Sequence, residues 1–82
     1  MNNELDLKSK IFLDLVSANV TKARIANGYS QLKLATEMGY SSASYYGRIE
    51  LRKNNEHFNL VQLYKISQIL EIPIETFFKQ QD

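Results

Sequence analysis

Residues 30–50 read SQLKLATEMGYSSASYYGRIE, a stretch that predicts two short helices joined at a glycine. Ser30 is a good N-cap residue, because its hydroxyl can accept a hydrogen bond from a free N–H group of the turn that follows. Three apolar residues of the first helix share one face: Leu34, Ala35 and Met38. Gly39 is expected to end that helix, since glycine enters the left-handed conformation without a Cβ penalty. The second helix is expected to begin within residues 41–43 and to end near residue 50.

The second helix can bury either of two neighbouring tyrosines. Burial of Tyr46 brings Ile49 inward on the same face. Burial of Tyr45 would instead bring Arg48 inward, and arginine is a poor core residue. Tyr46 and Ile49 are therefore predicted to face the core. The opposite face then carries small side chains, one leucine and one arginine: Ser44, Gly47, Arg48 and Leu51.

Gly47 lies within this second helix, where a glycine costs about 1 kcal/mol relative to alanine. One interpretation is that a partner such as a DNA groove approaches the helix closely at this point. The other is that the glycine tolerates a crossing helix or marks a fraying end. The sequence leaves both interpretations open.

The composition is that of an ordinary soluble globular domain, with 44% hydrophobic and 23% charged residues among 82. We expect one domain over residues 1–82, with residues 1–4 frayed. The chain contains no cysteine, which excludes disulfides and thiolate metal sites. Charged residues interrupt the N-terminal apolar run, so neither a signal peptide nor a membrane span is expected. The predicted location is the cytoplasm.

The net charge of +1 is small, but the charges are unevenly distributed. Residues 22–53 hold six basic and two acidic residues, a net charge of +4. The rest of the chain holds four basic and seven acidic residues, a net charge of −3. Positive charge is thus concentrated around the two short helices, which favours contact with a polyanion such as nucleic acid.

The pattern on either side of this stretch is also helical. Residues 6–27 predict a long first helix. Its early apolar residues cover either the core or a second subunit, and core packing is the preferred interpretation: Leu5, Leu7, Ile11 and Leu13. Asn59 is expected to cap a further helix over residues 60–70, which is apolar on almost three sides and therefore central in the core. Its inward face is expected to hold Leu60, Leu63, Ile66 (or Ser67) and Leu70.

The C-terminal segment predicts a short fifth helix over residues 73–79, started by Pro73. Its apolar residues are Ile74, Phe77 and Phe78. Two adjacent phenylalanines cannot both point into one core, so one of them is expected to be exposed or covered by a second subunit. We therefore expect these three apolar residues to form the interface of a two-fold homodimer.

Taken in order, these residues resemble the lambda-repressor-like DNA-binding domains (Cro/CI-type, the XRE family). The resemblance covers about residues 20–78 and consists of Arg24, Gly28, Ser30-Gln31, Leu34-Ala35, Met38-Gly39, a serine in the turn, Arg48-Ile49-Glu50, Leu70-Glu71-Ile72, Ile74 and Phe77-Phe78. It implies a compact five-helix, all-α domain with a helix-turn-helix over residues 30–50, and a transcriptional regulator that binds double-stranded DNA. Between Gly39 and Ile49 the chain has one residue more than the family pattern, which leaves two registers for the recognition helix.

The resemblance also implies roles for individual residues. Gln31 is similar to a glutamine that anchors to the DNA backbone and braces a neighbouring base contact. Arg48 is the best base reader, through two hydrogen bonds to guanine, and Tyr45 is expected near a phosphate or a thymine methyl. The groove-facing positions are Ser42, Ala43, Ser44, Gly47 and Arg48. Further phosphate contacts are expected from the loop that follows: Arg52, Lys53, Asn54 and Asn55.

In the family pattern, an arginine at the place of Arg24 pairs with the glutamate that corresponds to Glu50. A planar guanidinium can bridge the first helix to the end of the third, and so fix the angle at which the recognition helix is presented. The alternative is that Arg24 is simply solvated.

Small members of this family include phage-type repressors, controller proteins of restriction-modification systems and antitoxins; this chain looks most like a controller or a phage-type repressor. As a dimer it would bind a near-palindromic operator with half-sites about one helical turn apart. The alternative function is a protein-binding module, such as an antitoxin that occupies a partner enzyme. An enzyme is not expected, because the sequence lacks an activated nucleophile and a glycine-rich phosphate loop. His57 has no cysteine or second histidine to join it, so neither a metal site nor a cofactor is expected.

Overall fold

The computed structural model describes residues 3–80, and the regular structure within that range is entirely helical. Four α-helices follow one another: α1 (Glu4–Ala26), α2 (Gln31–Glu37), α3 (Ala43–Glu50) and α4 (Leu60–Leu70). Two 3-10 segments complete the order, Lys53–Asn55 between α3 and α4 and Ile74–Phe78 after α4. The predicted all-α class is confirmed, whereas the fifth helix expected over residues 73–79 is a 3-10 segment of five residues.

α1 begins earlier than the sequence pattern indicated. Asn3 is its N-cap, and the Asn3 Oδ1 accepts a hydrogen bond from the backbone N–H of Asp6 at 2.9 Å. Glu4 is the first helical residue, two residues before the predicted start, because the asparagine cap satisfies a free N–H group of the first turn; the frayed start over residues 1–4 stays a prediction. Residues 1 and 2 of that prediction lie outside the described part of the chain.

The predicted caps of α2 and α4 are confirmed. Ser30 Oγ accepts a hydrogen bond from the backbone N–H of Lys33 at 3.0 Å. Asn59 Oδ1 accepts one from the backbone N–H of Gln62 at 2.7 Å, and the Gln62 Oε1 accepts one from the backbone N–H of Asn59 at 2.9 Å. This reciprocal capping box fixes the first residue of α4.

The core lies between the C-terminal half of α1 and the other elements. α1 packs against α3 and the C-terminal 3-10 segment, while α2 packs against α3 and α4. The buried apolar side chains are Val16, Val20, Leu34, Ala35, Met38, Tyr46, Ile49, Phe58, Leu63, Ile66, Leu70 and Phe77. Every described helix contributes to this set, so the position of α3 depends on all of the others.

The expected core packing of the N-terminal half of α1 is wrong. Leu5, Leu7 and Ile11 are exposed, and Leu13 is half-buried. The physical reason is length: α1 has 23 residues and is therefore about 35 Å long, and its buried residues begin only at Val16. Its first turns extend past the elements that cover its second half.

The expectation for α4 is wrong in part. Leu63, Ile66, Ser67 and Leu70 are buried as predicted, but Leu60 is exposed. Val61 and Tyr64 are also exposed, so α4 buries one face and is not surrounded by the core. In the first turn of α4 it is Gln62 and Leu63 that are buried, and Leu60 lies roughly 90° around the helix from the centre of the buried face. Among the helices of residues 3–80, none combines the length and the apolar character that a membrane crossing requires.

The two adjacent phenylalanines of the C-terminal segment have different surroundings. Phe77 is fully buried in the core of its own chain, so its assignment to a dimer interface is wrong. Phe78 and Ile74 are half-buried and pack against the core. The Phe78 ring stacks on that of Phe12 with 6.1 Å between the centroids. The two phenylalanines therefore point in different directions: Phe77 points into the core, and Phe78 packs against Phe12 of α1.

Candidate nucleic-acid interface

α2 and α3 are joined by the five residues 38–42. Gly39 has a φ of 97°, a conformation that glycine adopts without a Cβ penalty, and the backbone N–H of Tyr40 donates to the Ala35 carbonyl at 2.9 Å. Ser42 is the N-cap of α3 in an extended conformation, and its side chain makes no capping hydrogen bond. This turn directs α3 away from α2 while both helices keep contact with the core.

α3 presents two different faces. Tyr46 and Ile49 are buried, at 0% and 2% exposure, while Tyr45 and Arg48 are exposed. The predicted inward face is therefore confirmed, and the alternative with Tyr45 inward is excluded. The outer face carries Ser44, Arg48 and the exposed Leu51, with Gly47 half-buried between them.

A buried polar network fixes the C-terminal end of α3. The Nε of Arg24 donates to Glu50 Oε2 at 2.8 Å, and its Nη2 donates to Glu50 Oε1 at 3.2 Å. The hydroxyl of Tyr46 also donates to Glu50 Oε2, and the Gln31 Nε2 donates to Glu50 Oε1 at 3.0 Å. The Arg24 Nη1 donates to the carbonyl of Tyr29 at 2.8 Å. One carboxylate thus joins α1, α2 and α3, and Arg24 is not simply solvated.

The protonation of this network follows from its surroundings. Burial alone would raise the pKa of the Glu50 carboxyl, but hydrogen bonds from Arg24, Tyr46 and Gln31 outweigh burial and lower that pKa. The hydrogen bond to Glu50 raises the pKa of Arg24. Burial, and next the hydrogen bond to Glu50, raise the pKa of Tyr46 far above its usual value. At neutral pH a charged carboxylate therefore accepts from a guanidinium and a protonated phenol.

Gly47 provides room for the Gln31 side chain. A Cβ added at Gly47 would lie 3.2 Å from the Gln31 Oε1, which is closer than an ordinary van der Waals contact. Gln31 is also held by Glu50, so its amide lies against α3 at the position where α3 has no side chain. A local packing contact between α2 and α3 thus accounts for the glycine, in agreement with the interpretation that it tolerates a crossing helix.

The remaining side chains of the α3 surface are only partly free. Arg48 Nε lies 3.7 Å from Glu56 Oε2, and the Arg48 guanidinium lies over the Tyr45 ring at 5.5 Å. The Tyr45 ring also meets the Tyr40 ring edge-on, with 5.2 Å between centroids. Ser42 and Ser44 are exposed and Ala43 is half-buried. Arg48 thus stands on the outer surface, with a long ion pair that solvent can weaken.

The loop after α3 separates into a structural arginine and exposed polar residues. Arg52 Nε donates to Asp14 Oδ1 at 2.9 Å, and its Nη1 donates to the carbonyls of Asn55 and Glu56. With its side chain 10% exposed, Arg52 ties the loop to α1 through its Nε and Nη1, and its phosphate-binding role stays a prediction. The other three predicted residues of this loop are exposed: Lys53, Asn54 and Asn55.

Several partners in this region were missed by sequence reasoning. The Tyr46 hydroxyl was predicted only as part of an inward side chain, although a buried phenol needs a hydrogen-bond partner and Glu50 lies one turn further on. Gln62 donates to the Tyr40 hydroxyl at 3.0 Å and to the Tyr45 hydroxyl at 3.3 Å. No periodicity could predict this contact, because Gln62 lies on another helix.

The described residues 3–80 contain no group of three or more histidine, cysteine, aspartate or glutamate side chains that could hold a metal ion. His57 is exposed, and its Nδ1 lies 3.4 Å from the carbonyl of Asn55. No protein-family model matches the sequence, and neither a curated protein nor a solved structure matches the chain.

Proposed function

We propose that this chain is a sequence-specific, double-stranded DNA-binding regulator of transcription, with α2 and α3 acting as a helix-turn-helix and α3 entering the major groove. The observation that carries the proposal is the division of α3 into a fixed inner face and an exposed outer face. Glu50 and Tyr46 hold the inner face through the buried network, while Ser44 and Arg48 lie outside. A recognition helix needs both properties, because base contacts require a side chain held within reach of the groove.

The distribution of exposed charge also favours the outer face of α3 as the surface that contacts DNA. Arg24 and Glu50 neutralise each other inside the protein, and Arg52 is paired with Asp14. The basic side chains exposed on or near α2 and α3 include Lys33, Arg48 and Lys53. These cations, rather than the whole basic stretch, are the ones proposed to meet phosphate or a base edge.

The groups on this face have suitable hydrogen-bonding capacity. Arg48 carries five donors in a planar fork, which fits the O6 and N7 acceptors of guanine. The Gln31 amide carries two N–H donors, and Glu50 accepts one of them. The second donor is proposed to bind a phosphate beside α3. Ser44 adds a small hydroxyl that permits close approach to the groove.

The regulator is proposed to act as a homodimer on a near-palindromic operator, because a two-fold protein presents its two α3 helices to two related half-sites. Within the family that the sequence resembles, a phage-type repressor or a restriction-modification controller fits this proposal.

The test is selection of bound sequences from random duplex DNA at two salt concentrations, with wild type and Arg48→Ala. We expect enrichment of a near-palindrome, and loss of preference at one base pair of each half-site in the variant, by roughly 1–3 kcal/mol. Affinity should fall steeply with salt, since bound cations release counterions from DNA. Lys79→Ala is the control, because it removes one exposed positive charge outside residues 22–53.

Two results would contradict the proposal. The first is no binding at low salt, which would move the function to a protein partner such as the enzyme that an antitoxin occupies. The second is binding without any enriched sequence, which would leave only a non-specific attraction between cations and phosphate.

A further inference from the structure

The N-terminal part of α1 forms an exposed helical arm, residues 3–12. Every residue of this arm is exposed, although four of them are large and apolar: Leu5, Leu7, Ile11 and Phe12. Phe12 stacks on Phe78, which ties the end of the arm to its own domain. Leu5 and Phe12 lie on a different side of the helix from Leu7 and Ile11, and an exposed apolar pair that adjoins marks a surface that a partner can cover.

Leu7 and Ile11 share one face of the arm, because residues four apart adjoin on a helix. The buried residues Val16 and Val20 lie on the opposite face of α1. Leu7 and Ile11 are 56% and 59% exposed. The face that they form is therefore turned away from the core of the same chain, where a second molecule can reach it.

The charges of the arm are arranged antisymmetrically about Leu7. Glu4 and Asp6 precede it by three residues and one residue, and Lys8 and Lys10 follow it at the same intervals. Glu4 and Lys8 form an ion pair of 3.3 Å within the helix, but both side chains remain at least two-thirds exposed. All four charges are thus available to a neighbouring surface with the reverse order of charge.

A second copy of the arm, running antiparallel, has that reverse order. With a two-fold axis at Leu7, the carboxylates of one copy lie beside the lysines of the other at both ends of the contact. A parallel pair would instead place like charges side by side, which is destabilising. We propose that two copies of this chain associate through antiparallel α1 arms, with Leu7 at the two-fold axis and Ile11 on either side of it.

The expected size of the contact sets its strength. Each arm is about 15 Å long, so a pair of arms buries an area at or below the roughly 1,200 Å² at the low end of specific interfaces. The dimer should therefore be weak and reversible. This inference does not depend on DNA binding and is tested without DNA.

The first experiment is a charge exchange followed by sedimentation equilibrium. Variant A carries Lys8→Glu and Lys10→Glu, and variant B carries Glu4→Lys and Asp6→Lys. Each variant alone should be monomeric at concentrations where the wild type dimerises, because all charges of its arm have one sign. An equimolar mixture of A and B should recover the dimer, because each arm again meets opposite charges. All substituted residues are exposed, so circular dichroism should show the same fold in each sample.

The second experiment tests the register by cross-linking through a single cysteine, since the natural chain has none. Leu7→Cys should form a covalent dimer rapidly on mild oxidation, because the two residues meet at the axis. Ile25→Cys is the matched control, since Ile25 is 62% exposed on the same side of α1 but far from the arm. It should cross-link at least tenfold more slowly.

Four outcomes would overturn the inference. One is a wild-type chain that stays monomeric up to about 1 mM, which would mean that the arm does not bind a second copy of itself. Another is a mixture of A and B that stays monomeric while the wild type dimerises. The third is equal cross-linking rates for the two cysteine variants. A dimer that persists unchanged in A and in B would also exclude the arm as its interface.

Discussion

Arg24 and Glu50 form a two-pronged ion pair between α1 and the last residue of α3, with N–O distances of 2.8 Å and 3.2 Å. Both side chains are nearly inaccessible to solvent, at 10% and 4% exposure. Tyr46 and Gln31 donate to the same carboxylate, so its four hydrogen bonds join three helices. The stability of the domain and the orientation of α3 therefore depend on one buried charge.

Removal of the Glu50 charge should destabilise the domain strongly. Glu50→Gln leaves the buried guanidinium of Arg24 without a counter-charge, which costs about 3–5 kcal/mol. The free energy of unfolding in urea measures this loss. Glu4→Gln is the control, since Glu4 belongs to an exposed pair with Lys8 and its loss should cost less than about 1 kcal/mol. Equal effects of the two substitutions would contradict the role assigned to the buried pair.

The Glu50 carboxylate should make the free energy of unfolding depend on pH in the acid range. Its pKa in the folded protein lies below the ordinary value of 4.5, so folding favours the charged form. The stabilisation is therefore complete well above pH 4.5 and is lost as the pH falls through the lower folded-state value. Urea unfolding from pH 7 to pH 3 should show the difference between wild type and Glu50→Gln shrinking with acid. A difference that grows below pH 4.5 would reverse the assigned sign.

The hydroxyl of Tyr46 should contribute separately from its ring. Tyr46→Phe keeps the fully buried ring but removes a donor to Glu50, which is expected to cost about 1–3 kcal/mol of unfolding free energy. Tyr64→Phe provides the comparison, because Tyr64 lies exposed on α4. Its expected cost is within about 0.5 kcal/mol. If both variants unfold at the same urea concentration as the wild type, the Tyr46 hydrogen bond adds no net stability.

Alanine should be tolerated at position 47, with a small displacement of the Gln31 side chain. Alanine raises helix propensity by about 1 kcal/mol, whereas its Cβ displaces the flexible end of the Gln31 side chain, 3.2 Å away. We expect Gly47→Ala to stabilise the domain by less than about 1 kcal/mol in the wild type. The gain should be larger in a Gln31→Ala background, where the contact is absent, and a double-mutant cycle measures the difference. Destabilisation in both backgrounds would mean that Gly47 meets something other than Gln31.

Substitutions of Arg52 and of Lys53 should affect different properties. The Arg52 substitution should lower stability, and the Lys53 substitution should weaken DNA binding. Arg52→Ala breaks hydrogen bonds to Asp14 and to two backbone carbonyls, and should lower the unfolding free energy by about 1–3 kcal/mol. Lys53→Ala removes an exposed charge and should leave stability within about 0.5 kcal/mol of wild type. Under the proposed function, Lys53→Ala weakens binding to all DNA sequences alike and lowers the salt dependence. A stable Arg52→Ala variant with reduced DNA affinity would support the phosphate role predicted from the sequence.

Sequence periodicity was sufficient wherever the decisive contacts are local. The caps at Ser30 and Asn59 depend on groups three residues away, so their chemistry is visible in the sequence itself. The inward face of α3 followed from the choice between Tyr46 with Ile49 and Tyr45 with Arg48, which is a question of helical spacing. The pair of Arg24 with Glu50 was expected only from the resemblance to a known family, since no spacing rule connects residues on different helices.

The errors concern residues whose surroundings come from distant parts of the chain. Leu60 was predicted to lie on the inward face of α4 yet is exposed, because the fold buries Gln62 and Leu63 in that first turn instead. Arg52 looked like a free cation, but the fold brings Asp14 within 2.9 Å of it. Phe77 fills the core while Phe78 stacks on Phe12 of α1.

The sequence by itself determined the helical class, the helix starts within residues 30–70 and the face that α3 turns inward, because each depends on neighbours within one or two turns. Only the tertiary structure decided which charges are used internally, which apolar residues stay exposed and what Gly47 accommodates. Those properties depend on the distances between separate helices, and these distances result from the packing of the whole core. A local pattern cannot encode them, since the same arginine or leucine is free or buried according to what lies across from it.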